Sequence, residues 1–149
     1  MRPPFVRSQF AADLSAATAL RSDLDQWLYE ALGLPAAIRY DVVLAAYEAM
    51  ANAALHAYRD VAPPRTMGVE VRYDATTGVL AVTVTDHGRW REQDTTDSGH
   101  GRGITLMRGL ADRLSVNTSL NGTRAEMTWT SCPIQPERSS TLLDDTAGK

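Results

Sequence analysis

The stretch that most limits what this chain can fold into is 41–58, DVVLAAYEAMANAALHAY. Its apolar residues fall on two sides of an α-helix. Val42, Ala46, Ala49, Met50, Ala53 and Ala57 form one face, and Leu44 and Leu55 point elsewhere, toward a preceding helix. A helix apolar on two sides is an interior element and needs cover from both. Its small residues would let it lie close against a sheet. Within this apolar setting Glu48, Asn52 and His56 recur every fourth residue, so they stack as one polar ridge. A carboxylate, a carboxamide and an imidazole in such a place need partners, either from the protein or from a ligand in a pocket.

The flanking sequence supplies that cover. FVRSQF (5–10) alternates weakly and suits a short edge strand. From Asp13 to Leu32, Leu14, Ala17, Leu20, Leu24, Trp27, Leu28 and Ala31 step by three and four, which predicts a helix. Asp13 is its expected N-cap and Gly33 its stop. Pro35 suits the first turn of the next helix, which is expected to run from about 36 to 58, about 34 Å long. Ala62-Pro63-Pro64-Arg65 breaks it. TMGVEVRYD (66–74) and GVLAVTVTD (78–86) then alternate with period two and read as an antiparallel hairpin, with Gly78 in the turn. Asp86 falls on the same face as Leu80, Val82 and Val84, at the last position of its strand. An acid there is costly unless paired or liganded.

Residues 87–102, HGRWREQDTTDSGHGR, carry no apolar period and predict a lid or binding loop. Gly103 opens a short amphipathic helix bearing Ile104, Met107, Leu110 and Ala111 on one side. LSVNTS (114–119) and TRAEMTWTS (123–131) form a second hairpin, turned by Asn121-Gly122. Hairpins and grouped helices together predict an α+β fold, a two-layer α/β sandwich with helices on one face of a mainly antiparallel sheet. The expected division is a single domain over 1–133 and a tail over 134–149.

Composition narrows the partners. A net charge of −3 gives no broad basic footprint for nucleic acid. No apolar run reaches a transmembrane length, and MRPPFVRSQFAADLS lacks the apolar core of a signal peptide. The single cysteine, Cys132, has no partner for a disulfide or a metal cluster. A cytoplasmic protein is expected.

Four separated features ask for one ligand. Gly99, Gly101 and Gly103 alternate just before a helix whose first N–H groups favour anions, a reasonable phosphate cradle. Neither a P-loop nor a dinucleotide fingerprint fits it, because Ile104-Thr105 follows and a polar lid precedes. Asp86, followed by Gly88, presents a carboxylate acceptor suited to the exocyclic amino group of adenine. Thr123 offers a hydroxyl in the last hairpin. Asn52 offers a neutral oxygen for Mg²⁺ beside phosphates, and Glu48 one turn earlier can accept a proton.

In this order the residues resemble the Bergerat-fold ATPases, the GHKL superfamily that includes gyrase and the histidine kinases. Glu48-x3-Asn52-x3-His56 is similar to its N box, Asp86-His87-Gly88 to its first glycine box, Gly99-x-Gly101-x-Gly103 to its second and Gly122-Thr123 to its last. The helix string EAMANAALHAY and the short length resemble the anti-sigma-factor serine kinases of bacterial partner switching. The resemblance implies ATP and Mg²⁺, with Asn52 as metal ligand and Glu48 as general base. It implies Asp86 and Thr123 at the adenine, Gly88 giving the base room, and the three lid glycines around the phosphates. Arg102 is a lid cation placed to meet the γ-phosphate. Trp90 stands where the first glycine box carries another glycine. The implied partners are an anti-sigma-factor antagonist as substrate and a sigma factor, with homodimerisation. Two other functions fit the same motifs: an ATP-binding interaction module that transfers nothing, and a detached histidine-kinase catalytic domain.

Overall fold

The computed structural model describes residues 3–58, 64–88, 102–130 and 132. Five strands form one sheet in the order β1-β2-β3-β5-β4, with every neighbouring pair antiparallel. They are β1 (Phe5–Ala11), β2 (Thr66–Asp74), β3 (Val79–Asp86), β4 (Arg113–Ser119) and β5 (Gly122–Trp129). The helices are α1 (Leu14–Leu32), α2 (Ala36–Asn52) and α3 (Arg102–Leu110). This is the α+β sandwich expected from the pattern.

Alternation sorts the sheet into two faces. Met67, Val69, Val71, Leu80, Val82, Val84, Met127 and Trp129 are buried under the helices. The intervening Glu70, Arg72, Thr85, Arg124 and Glu126 lie on the opposite, polar face, where Glu70 and Arg72 form an ion pair 3.0 Å long. That pair holds the Glu70 carboxyl below its ordinary value, chiefly through the hydrogen bond from Arg72.

In the helical layer α2 packs against α1, α3 and β3, which is why it is apolar on two sides. Val42, Ala46, Ala49 and Met50 are buried. α1 contributes Ala17, Leu20, Leu24, Leu28 and Leu32 as one buried stripe. Each such leucine contributes about 1.5–3 kcal/mol on burial. Asp13 caps α1 by accepting the Ala16 N–H at 2.7 Å, and Gly33 ends it in the left-handed region at φ 61°. Arg39 then ties the start of α2 back to Asp25 of α1 at 2.7 Å.

Two local features differ from the sequence reading. The second helix does not stay α-helical to residue 58: after Asn52 it continues as a π-turn over Ala53–Ala57. The winding there is i→i+5, so Leu55 leaves the helix–helix side and is 52% exposed. The second hairpin also turns one residue earlier than expected. Ser119 pairs with Gly122, so the loop is Leu120-Asn121 and Gly122 belongs to β5. Gly122 opens β5 where a Cβ would run into the Asp86 carbonyl oxygen. Among the described residues no helix is long and apolar enough to cross a membrane.

Candidate functional site

The end of α2, the end of β3, the start of α3 and the start of β5 meet at one edge of the sandwich. β3 is the middle strand, and its ladder closes at Asp86, which pairs with Met67 on one side and Thr123 on the other. Asp86 is 5% exposed and Thr123 is equally buried. The Asp86 carboxylate accepts the Gly88 N–H at 3.0 Å, folding the chain back on itself directly after the strand. As direct cross-strand neighbours, Asp86 and Thr123 present their side chains on the same side of the sheet.

Three glycines let these elements touch. A Cβ on Gly88 would stand 2.1 Å from the Ala57 carbonyl oxygen, so only glycine fits between β3 and the end of the π-turn. On Gly122, at φ 138°, it would stand 2.0 Å from the Asp86 carbonyl oxygen. On Gly103 it would stand 2.7 Å from Asn52 Nδ2 and 2.9 Å from Asn52 Oδ1. The first turn of α3 thus lies directly on the Asn52 carboxamide. The opening N–H groups of a helix carry partial positive charge and favour an anion at that spot.

Two polar atoms here are buried without a hydrogen-bond partner among the described residues, Asn52 Nδ2 and Thr123 Oγ1. Buried polar groups are nearly always bonded, and leaving one unmet costs about 1–3 kcal/mol. One lies where the helices meet and the other at the end of the strands. They are the groups expected to find partners in a polar ligand.

The remaining expected residues fall into place unevenly. Glu48 is half-buried on α2, one turn before Asn52 and on the same face. His56 lies in the π-turn, half-buried and already partnered within the protein, so the ridge of three is two residues of α-helix plus a histidine on differently wound backbone. Arg102 is the first residue of α3. Gly99, Gly101 and Trp90, and the tail over 134–149, lie outside the described residues.

The sequence reading missed two contributors. One is Ala57, whose carbonyl receives Gly88; its small side chain was legible as close packing but its partner was not. The other is Tyr58, buried at the end of the π-turn, whose hydroxyl accepts the His87 N–H at 2.7 Å and donates to the Thr66 carbonyl. A single tyrosine after an apolar helix has no periodic signal that would mark it.

The antiparallel sheet with helices on one face agrees with the fold of the GHKL-type ATPases, to which the family match also points. The chain belongs to the histidine kinase-like ATPase domain family, which it matches over residues 10–129. It is therefore an ATP-binding, kinase-like domain. Among solved structures it is similar to the RsbU and RsbW domains of Rv1364c from Mycobacterium tuberculosis, with TM-score 0.70 and 24% identity over 91% of this chain and 34% of that one. It is also similar to the blue-light activated histidine kinase EL346 of Erythrobacter litoralis, with TM-score 0.57 and 24% identity over 73% of this chain and 34% of that one. The histidine kinase domain of that protein gives TM-score 0.53 and 23% identity over 89% of this chain and 65% of that one. The chain spans about a third of the length of the first two structures. At these identities the likeness is one of fold. No curated protein sequence matches the chain at a significant level.

Proposed function

We propose that this chain is an ATP-dependent serine-protein kinase of a partner-switching system, phosphorylating an anti-sigma-factor antagonist and sequestering a sigma factor. The observation that carries the reading is the Asn52 carboxamide, buried, without a partner at Nδ2 among the described residues and covered by the first turn of α3. An amide there fits an anion with a divalent cation. A half-turn of the amide exchanges its donor and its acceptor within the same volume, so either the oxygen faces Mg²⁺ or the nitrogen faces a phosphate oxygen. Further support comes from the string EAMANAALHAY around it and from the likeness to a structure that includes an RsbW domain.

Each residue then has a task. Asn52 would hold Mg²⁺, and MgATP, when bound, would supply the γ-phosphoryl group that passes to the serine oxygen, with ADP leaving. Glu48, on the same helix face, accepts the proton of the incoming serine hydroxyl. Asp86 accepts a hydrogen bond from the adenine amino group, Thr123 Oγ1 makes a second polar contact, and Gly88 leaves room for the base. Gly99, Gly101 and Gly103 place backbone N–H groups around the phosphates, and the Arg102 guanidinium meets the terminal one. The kinase domain comprises 1–133 and 134–149 is an appended tail. The protein works in the cytoplasm, and homodimerisation is what the family resemblance implies for it.

The test is phosphotransfer from radiolabelled MgATP to candidate antagonist proteins. The expected product is an acid-stable phosphoserine, absent with Glu48→Ala although that variant still binds MgATP. An acid-labile phosphate on a partner histidine would replace this reading with a histidine-kinase one. Tight MgATP binding with no transfer to any antagonist would leave a nucleotide-switched binding module.

A further inference from the structure

We infer that Tyr58 is a positioning residue for adenine recognition, setting the backbone that aims the Asp86 carboxylate. The inference rests on the assignment of Asp86 to the base proposed above. β3 is held by its neighbours only as far as Asp86, where the pairing with Met67 and Thr123 ends. The next residue, His87, is held instead by a side chain: its N–H donates to the Tyr58 hydroxyl at 2.7 Å. A phenol has one proton to give, and this one goes to the carbonyl of Thr66, the first residue of β2. The hydroxyl therefore acts as donor and acceptor at once, and both of its partners are backbone groups.

The ring that carries this hydroxyl has little freedom. Tyr58 is 4% exposed and follows the π-turn whose last residue, Ala57, abuts Gly88. Consecutive residues of one helix end thus grip His87 and Gly88, while Gly88 in turn bonds the Asp86 carboxylate at 3.0 Å. The same helix carries Asn52 immediately before the π-turn. One rigid element therefore sets both ends of the site, Asn52 directly and Asp86 through Tyr58. The switch to π winding after Asn52 aims residues 57 and 58 at the strand end, a common use of such turns at functional sites.

The experiment compares ATP with inosine triphosphate, whose base carries a carbonyl in place of the amino group, by calorimetric titration of the full chain. The wild-type protein is expected to prefer ATP. Tyr58→Phe is expected to weaken ATP about tenfold and inosine triphosphate less than twofold, so that the preference collapses. Equal weakening of both nucleotides would mark a merely structural tyrosine, and unchanged binding would also overturn the inference. A wild-type protein that does not distinguish the two nucleotides would instead overturn the Asp86 assignment, and the inference with it. Should Tyr58→Phe fail to fold, amide exchange of the wild-type protein decides. The His87 amide is expected to be strongly protected, and exchange at the rate of an open amide would overturn the inference.

Discussion

Gly103→Ala separates stability from function at this site. The added methyl would stand 2.7 Å, 2.9 Å and 3.2 Å from Nδ2, Oδ1 and Cγ of Asn52, and the nearest atoms are all side-chain atoms of that one residue. The backbone need not move, because the end of one short side chain can turn away. Overpacking of this kind costs about 1–3 kcal/mol. Alanine returns up to about 1 kcal/mol over glycine inside a helix. The net loss is about 0–3 kcal/mol, a fall in Tm of at most about 12 °C for a chain of this size. If Asn52 meets MgATP as proposed, the displaced amide leaves the position of that contact. Such a contact contributes about 1.5–3 kcal/mol, which is about 10- to 100-fold in affinity. Calorimetric titration with MgATP, beside a thermal melt, measures both quantities. Asn52→Ala placed on top of Gly103→Ala is expected to add little, because both substitutions remove the same contact. A folded Gly103→Ala protein that binds MgATP within twofold of the wild type would refute the reasoning.

Gly88→Ala meets backbone rather than a side chain, 2.1 Å from the Ala57 carbonyl oxygen. It is expected to cost about 3 kcal/mol or more, lowering Tm by about 6–12 °C, and a melt within 2 °C or so of wild type would contradict the packing described. Asp86→Asn keeps the shape but has one acceptor where the carboxylate has two. If Asp86 also accepts from the base amino group as proposed, then whichever way the amide turns either that group or the Gly88 N–H loses its acceptor, so ATP affinity is expected to fall about tenfold or more in a titration. Burial, and then the charge of Asp112, push the Cys132 thiol above its ordinary value. Native protein is therefore expected to react with iodoacetamide at pH 8 much more slowly than urea-unfolded protein, and equal rates would contradict the burial. The sign of the linkage follows: the folded state holds this proton longer, so the contribution to stability is present below the unfolded thiol pKa and is lost as pH rises through the higher folded value.

Much of the fold was legible because each element announces itself locally. Leucines every three or four residues between Asp13 and Gly33 specify α1, and strict alternation over 66–74 and 79–86 specifies a hairpin. The doubly apolar α2 required cover from both sides, and α1, α3 and the sheet provide it. Asn52 and Asp86 stood out by the same reasoning, as polar groups in apolar stripes, and both are buried as that required. Glycine spacing marked Gly88, Gly103 and Gly122 as special positions without saying what they approach.

What those glycines touch was decided only by the tertiary structure. The contacts of Gly88 with Ala57, Gly103 with Asn52 and Gly122 with Asp86 join residues that lie 31, 51 and 36 positions apart, and no periodicity encodes such a distance. The π-turn after Asn52 is a response to packing, since Ala53–Ala57 is as good an α-helix sequence as the residues before it. Its consequences, an exposed Leu55, a histidine off the ridge and a tyrosine bridging Thr66 and His87, follow from that one change in winding. The sequence by itself determined the elements, the apolar faces and the polar residues that need partners, because these depend on neighbours a few residues away. The tertiary structure alone decided which residues those partners are, because burial brings together backbone and side chains that the chain keeps far apart.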